Sequence, residues 1–431
     1  MGKPVHVSLL GCGTVGGGVL RLLRENARYL ESRIGAPLVV DKVLVRDVSK
    51  ERVAECDRAW LTTDPEQVLR GDSEVIVEVM GGEEPAYSLI KRALSEKRGV
   101  VTANKMLLAK RGPELVDLAV ANGVDLAFEA SVGGGIPIVR TLREAFTSDW
   151  VDRLVGIVNG TCNYVLTRMR REGKSFEEVL VDAQRLGYAE ADPSLDVDGH
   201  DASQKLVVLA MLAFGARVDE KAVPTSGIRA IDQTDHRFAE RFGFTVKHLA
   251  VGRDHGERVE LRVHPALVPS SSILANVSGV LNAISVHGRA LGPCLLSGRG
   301  AGDLPTAVSV VADLVDVARA RREGAGGLST RGIQLADRPL FPLAEVDSRF
   351  YLRFFVADRP GVLAAIAGAL GEQSVSIEQM VQEGGGTPSE PVDIVMITHK
   401  ASWGGVMRAL AEIDAKDFVT KASKLLPIED S

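Results

Sequence analysis

Cysteine is scarce in this chain: Cys12, Cys56, Cys162 and Cys294 stand far apart among 431 residues, and no two form a C-x-x-C pair. This excludes a disulfide framework and a zinc knuckle, leaving reduced, mostly buried thiols as the expectation. A basic excess is also missing, since 51 Lys+Arg face 57 Asp+Glu for a net charge of −6. With no surplus to neutralise phosphates, no nucleic-acid partner is expected. No window approaches the roughly 18 uninterrupted apolar residues of a membrane span, and residues 1–13 lack the apolar core and cleavage site of a secretory signal. The expectation is a soluble, cytoplasmic protein with no membrane partner. What is present is globular: 45% hydrophobic and 25% charged residues, over a length that holds two to four domains at roughly 100–200 residues each.

Residues 5–10 are apolar, Gly11 breaks the run, and over 16–29 apolar side chains (Val19, Leu22, Leu23) recur at helical spacing. That reads as strand, glycine turn, helix. Apolar strands follow at 39–45, 75–79, 100–101 and 124–128, with helical stretches at 85–97 and 112–121 between the last three. The fold class is therefore α/β, a Rossmann-like parallel sheet with helices on both faces, assigned to residues 1–131. Residues 132–329 mix helix and strand signals around an acidic loop at 187–199 and read as an α+β substrate domain. A connector at 330–348 carries Pro339 and Pro342. The terminal unit, 349–431, reads strand 350–356, turn 358–361, helix 362–371, strand 375–381, a Gly/Pro loop, strand 392–399, helix 403–413 and strand 418–422. This βαββαβ order describes a small ferredoxin-like sandwich.

Three segments carry chemistry. Gly11-Cys12-Gly13-Thr14-Val15-Gly16 matches G-x-G-x-x-G directly after a strand and at a helix start, where glycines permit the turn and let amides approach a pyrophosphate. An NAD enzyme usually ends its second strand in an acid, whereas here Val45 is followed by Arg46 and Asp47. Arg46 reads either as the partner of a 2′-phosphate or as a solvated residue in a charged loop. Lys105 stands just beyond a strand, at the edge where open α/β sheets bind ligands. The run 187–205 then brings Glu190, Asp192, Asp196, Asp198, Asp201 and Lys205, with Asp201 and Lys205 four apart on one helical face. Acids aimed at one region suit a cationic group such as an α-ammonium, and a lysine beside them serves as a proton donor or relay. A calcium loop is the weaker reading, for the EF-hand glutamate is missing.

From Ala183 through Lys205 the chain resembles the homoserine dehydrogenase signature, A-x-x-x-G-Y/F-A, D-P, D-x-x-G-x-D and the final lysine, without a gap. Agreement extends to the Gly11 turn, to Thr102-Ala103-Asn104-Lys105, to residues 129–137, to Asn159-Gly160-Thr161-Cys162-Asn163-Tyr164 and to residues 300–306. The terminal unit, with Asp358-Arg359-Pro360-Gly361, is similar to an ACT domain. The dinucleotide strand opens the chain, so a monofunctional enzyme with no aspartate kinase in front is the expectation. Departures lie in two loops, at Arg299 and at Ser270-Ser271-Ser272-Ile273.

The resemblance implies a cofactor domain with a returning segment at about 300–325 and a catalytic and dimerisation domain within 132–329. It also implies interconversion of aspartate 4-semialdehyde and homoserine with NADP(H) preferred over NAD(H), in a homodimer or homotetramer of the threonine, methionine and isoleucine pathways. By position, Lys205 matches the proton donor, Lys105 the second active-site lysine, and Asp201 an acid beside them. Glu190, Asp196, Thr161 and Tyr188 match substrate positions. Gly11, Gly13, Thr14, Val15, Gly16, Arg46, Lys105 and Gly302 match cofactor positions. Glu129, Val132, Gly134 and Ile136 match a sodium site built from a carboxylate and carbonyls, and threonine is the implied ACT effector. Two other readings compete: another dehydrogenase on the same cofactor domain, either malate-type or a semialdehyde dehydrogenase with Cys162 as nucleophile, and a non-enzymatic nucleotide and amino-acid sensor.

Overall fold

Valine-rich runs build the first sheet, as seen in a computed structural model that describes residues 2–383 and 391–430. Six parallel strands, β1 (Val5–Leu10), β2 (Leu38–Leu44), β3 (Leu61–Thr62), β4 (Val75–Glu78), β5 (Gly99–Thr102) and β6 (Leu126–Ala127), lie in the order β3-β2-β1-β4-β5-β6. A sheet covered on both faces needs no alternation of polar and apolar residues, and Val75, Ile76, Val77, Val100 and Val101 are all fully buried. Strand order reverses at β1, so the carboxyl ends of β1 and β4 flank the switch point where such sheets take ligands. Helix α1 (Thr14–Glu25) leaves β1 and α2 (Lys105–Asn122) leaves β5. The expected returning segment is the helix Asp303–Arg322, whose Ala307, Val310 and Leu314 share a core with Val7, Val19 and Leu20.

The chain forms two compact units, Met1–Gly160 with Asp201–Val223 and Val280–Arg338, and Thr161–His200 with Pro224–Gly279 and Pro339–Ser431. Besides the parallel sheet, the first holds an antiparallel trio, Val151–Ile157, Leu281–Gly288 and Gly292–Arg299. The second is built on the hairpin Phe244–Asp254/Val259–Pro269, in register from Phe244↔Pro269 to Asp254↔Val259. The stretch read as an acidic loop contains a short helix, Ser194–Val197.

Also in the second unit are the strands Asp347–Ala357, Ile377–Glu383, Pro391–Thr398 and Val419–Ile428 and the helices Val362–Glu372 and Trp403–Asp414, the expected βαββαβ sandwich. Its helices pack Ile366, Leu370, Val406 and Ile413 on Phe350, Phe354, Ile394 and Met396. The Gly/Pro loop expected there falls at 384–390, outside the described residues. The module is not a tethered bead. Leu267 of the hairpin pairs in parallel with Ile428, and the Glu429 amide donates to the Leu267 carbonyl at 2.9 Å. The connector expected at 330–348 is likewise tied down: Val259 donates to the Pro339 carbonyl at 3.1 Å, and Phe341 donates to that of Val259 at 2.8 Å. Among the described residues no helix is long and apolar enough to cross a membrane.

Candidate functional site

At the glycine turn each glycine answers a different constraint. Gly11 has φ +107°, and a Cβ there would lie 2.9 Å from the Met80 backbone. One on Gly16 would come within 2.5 Å of the Gly11 carbonyl oxygen, whereas one on Gly13 would meet nothing within 4 Å. The first and last glycines thus let the turn close, and Gly13 leaves open space before α1, whose amide end at Thr14 and Val15 has no side-chain cap. An uncapped helix start facing open space fits the pyrophosphate of a dinucleotide. Gly302, at φ +132°, starts the returning helix, which approaches Gly18 of α1. Arg46 is exposed just past β2. The neighbouring Asp47 carboxylate accepts from the Ser49 hydroxyl at 2.6 Å and amide at 2.8 Å, which lowers its pKa. Arg52 donates to the Cys12 carbonyl at 2.6 Å and the Asp47 carbonyl at 3.0 Å. It ties the charged loop to the glycine turn.

Lys105 owes its place to the residues before it. Glu78, fully buried at the end of β4, accepts from the Thr102 hydroxyl at 2.6 Å, and Thr102 Oγ1 accepts the Asn104 amide at 3.1 Å. Asn104 then caps α2, accepting from the Leu107 amide at 3.1 Å while its Nδ2 donates to the Gly82 carbonyl at 2.7 Å. Lys105, the first residue of that helix, sends Nζ to Asp201 Oδ1 at 3.0 Å. Asp201 Oδ2 accepts from Lys205 Nζ at 2.7 Å and from Asn159 Nδ2 at 2.8 Å. Lys205 also donates to the Val158 carbonyl at 2.6 Å, which Asn282 Nδ2 meets at 3.0 Å. Burial works to raise the Asp201 carboxyl, but the charges of Lys205 and Lys105 and the Lys205 and Asn159 hydrogen bonds outweigh it and hold it below the usual range. An ionised carboxylate shared by two lysines results. Lys205 is 8% exposed and Lys105 one-third exposed along its side chain, so the pair spans from interior to open surface. Asn159 opens a motif that was given no role of its own, and Asn282 carries no local signal that sequence reading uses.

In the second unit, Thr161 Oγ1 lies 2.7 Å from the Tyr188 carbonyl and 3.2 Å from Asp196 Oδ2. The Tyr164 and Tyr188 rings pack with centroids 4.9 Å apart, and Glu190 is exposed. Cys162 is fully buried, its thiol donating to the Asp196 carbonyl at 3.2 Å. A thiol so enclosed is a poor nucleophile, which weighs against the semialdehyde dehydrogenase reading.

In the segment expected to hold sodium, the glutamate also has a structural task. Both Glu129 carboxylate oxygens accept backbone amides, of Val139 at 2.9 Å and Arg140 at 2.7 Å, at the start of the helix Ile138–Arg140. Each oxygen thus spends one lone pair on the fold and keeps another. The Gly134 carbonyl accepts the Ser309 hydroxyl at 2.7 Å and that of Ile136 the Ile138 amide at 2.7 Å. Among the described residues no cluster of three or more His, Cys, Asp or Glu could hold a metal. Asp313, absent from any motif, accepts the Glu129 amide at 2.7 Å. Burial, then the Glu129 charge, pushes its carboxyl up to about 7.

Comparison with known proteins identifies the family. The family described as "Homoserine dehydrogenase" matches residues 137–315, its NAD-binding domain matches 11–129, and an ACT domain matches 350–414. The homoserine dehydrogenase of Neisseria gonorrhoeae is 40% identical over 433 residues, covering 99% of each chain. That of Bacillus subtilis is 39% identical over 428, also covering 99% of each. Among solved structures, a homoserine dehydrogenase from Thiobacillus denitrificans superposes with a TM-score of 0.94 at 43% identity, over 99% of both chains. A hyperthermophilic archaeal homoserine dehydrogenase in complex with NADPH gives a TM-score of 0.62 at 28% identity, over 73% of this chain and 98% of that one. With its dinucleotide turn, its lysine-bridging carboxylate and its terminal ACT domain, the chain belongs to the homoserine dehydrogenases, NAD(P)-dependent oxidoreductases acting on a CH–OH group.

Proposed function

We propose that the chain reduces L-aspartate 4-semialdehyde to L-homoserine, reversibly, with NADP(H) preferred and NAD(H) accepted. The observation that carries this reading is the Asp201 carboxylate held between Lys105 and Lys205. A bound nicotinamide supplies or accepts the hydride. Negative charge that develops on the carbonyl oxygen is met by a proton from Lys205 Nζ, directly or through a water it holds. Asp201 and the Val158 carbonyl take two of that ammonium's three hydrogens and aim the third. Lys105, nearer the surface, adds a second positive charge for the same oxygen. Glu190 and Asp196 receive the substrate ammonium, with Thr161 and Tyr188 shaping that subsite. Gly11, Gly13, Thr14, Val15, Gly16 and Gly302 hold the dinucleotide, and Arg46 grips its 2′-phosphate. The NADPH complex of the archaeal relative supports the cofactor choice. A sodium ion, where present, takes carbonyl oxygens of the turn containing Glu129, Val132, Gly134 and Ile136.

The reading extends to a cytoplasmic homodimer or homotetramer serving threonine, methionine and isoleucine synthesis, with threonine as the feedback effector of the ACT domain. A side-by-side assay of NADPH and NADH oxidation with aspartate semialdehyde tests the activity, and no turnover with either cofactor refutes it. Threonine titrated to about millimolar concentration in the same assay tests regulation, and rates that stay constant remove the effector.

A further inference from the structure

A cavity of about 260 Å³ lies in the second unit, between the later turns of the helix Gly160–Glu172, the strand Phe244–Asp254 and the chain around Ser278. Arg170, Arg171 and Lys247 line it against one acid, Glu240. The acid belongs to Arg170, whose Nε reaches it at 2.7 Å and whose Nη1 donates to Thr245 Oγ1 at 3.1 Å. Arg171 donates to the Ser278 hydroxyl at 3.3 Å.

Lys247 is 3% exposed, and its described acceptors are neutral: Asn163 Oδ1 at 3.2 Å and the Val277 carbonyl. Two neutral oxygens leave a hydrogen of the ammonium to spare, and they compensate a buried charge poorly. Desolvation, followed by the charges of Arg170 and Arg171, pushes the amine down to about 8. A chain that buries a lysine beside two guanidinium groups has the electrostatic form of a site completed by an anion from solution.

We propose that this cavity binds a small, doubly charged oxyanion of the phosphate class. Three cations against one paired carboxylate match a dianion, and tetrahedral oxygens can be met by the lysine and the two forks together. The volume falls below the roughly 300 Å³ at which small-molecule sites begin, so it suits a free ion or a single phosphate group rather than a nucleotide. It is also separate from the proposed substrate residues: Arg170 lies nine residues beyond Thr161 on one helix, about 13 Å along its axis at the standard rise.

Calorimetric titration of the full-length, NADPH-saturated enzyme with inorganic phosphate, at fixed ionic strength, tests the proposal. The expected result is one saturable site per chain that acetate does not fill and that weakens at least tenfold in Lys247→Met and in Arg171→Gln. Arg171 is exposed, so its variant remains informative where the lysine change impairs folding. Parallel titration with ethyl phosphate separates the sources: equal binding identifies a monoester group, and selective binding of inorganic phosphate identifies the free ion. Absence of saturable binding, or equal affinity in the wild type and Arg171→Gln, overturns the proposal.

Discussion

At the scale of single residues, charge placement decides the chemistry. Lys205→Ala removes the proposed proton donor but leaves the glycine turn untouched, so turnover should fall at least about a hundredfold with cofactor affinity retained. Steady-state kinetics with a separate cofactor titration checks both halves, and near wild-type turnover refutes the role. Arg46→Ala should weaken NADPH more than NADH, since only the former offers a phosphate to an exposed guanidinium. Equal losses would return Arg46 to the solvent. Asp313 makes a prediction about stability. Its folded pKa of about 7 stands above the unfolded value near 3.9, so the folded state holds the extra proton between those limits. The stabilisation is fully present below about pH 4 and is lost as pH rises through 7. Asp313→Asn keeps an acceptor for the Glu129 amide without the charge, and should flatten the decline in melting temperature between pH 5 and 8. An unchanged slope would mean that the carboxyl titrates elsewhere.

At the scale of elements, a capped helix start carries Lys105. Asn104→Ala removes the acceptor for the Leu107 amide and the donor to the Gly82 carbonyl. It should cost about 1–2 kcal/mol of stability and lower turnover by misplacing Lys105, whereas Asn104→Ser, which keeps a capping oxygen, should recover most of the stability. Urea unfolding of both variants distinguishes capping from a general packing loss, in which serine and alanine would behave alike. What could be read in the sequence was local: the glycine turn between a strand and a helix, Lys105 after β5, Asp201 and Lys205 one turn apart, and the alternation of the last 80 or so residues. Each is a spacing within a few residues, and helix and strand periods convert such spacings into positions. The partners of Asn159, Asn282 and Asp313 were not legible, because these residues meet Asp201, Val158 and Glu129 through tertiary contacts that no period encodes. Glu129 shows the same limit from the other side, for the residue stands in its motif while its carboxylate caps a helix.

At the scale of the whole molecule, the sequence suggested a terminal unit reached through a Pro-containing connector, and in the second unit the ACT sheet runs directly into the Val259–Pro269 hairpin. Trp403 of the ACT helix sits edge-on to His264 with ring centroids 5.8 Å apart and stacks near the Arg262 guanidinium. Arg262, 1% exposed, bonds Glu429 at 2.5 Å and Glu260 at 2.8 Å. A change in the ACT sheet therefore meets the hairpin through strand pairing and a buried ion cluster, the kind of rigid contact through which effector binding can be transmitted. Burial alone would raise the Glu429 carboxyl, but Arg262 foremost holds it down to about 2. Since this lies below the unfolded value near 4.3, the contribution is complete above about pH 4.3 and is lost as pH falls toward 2. Glu429→Gln should then cost about 3 kcal/mol at pH 7, where it strands a buried guanidinium on one remaining acid, and less at pH 3.5, where the wild type begins to lose the same charge. Thermal melts of both proteins at the two pH values read the difference. A gap that is independent of pH would show that Glu429 acts by packing, and would leave strand pairing as the tie between hairpin and ACT sheet.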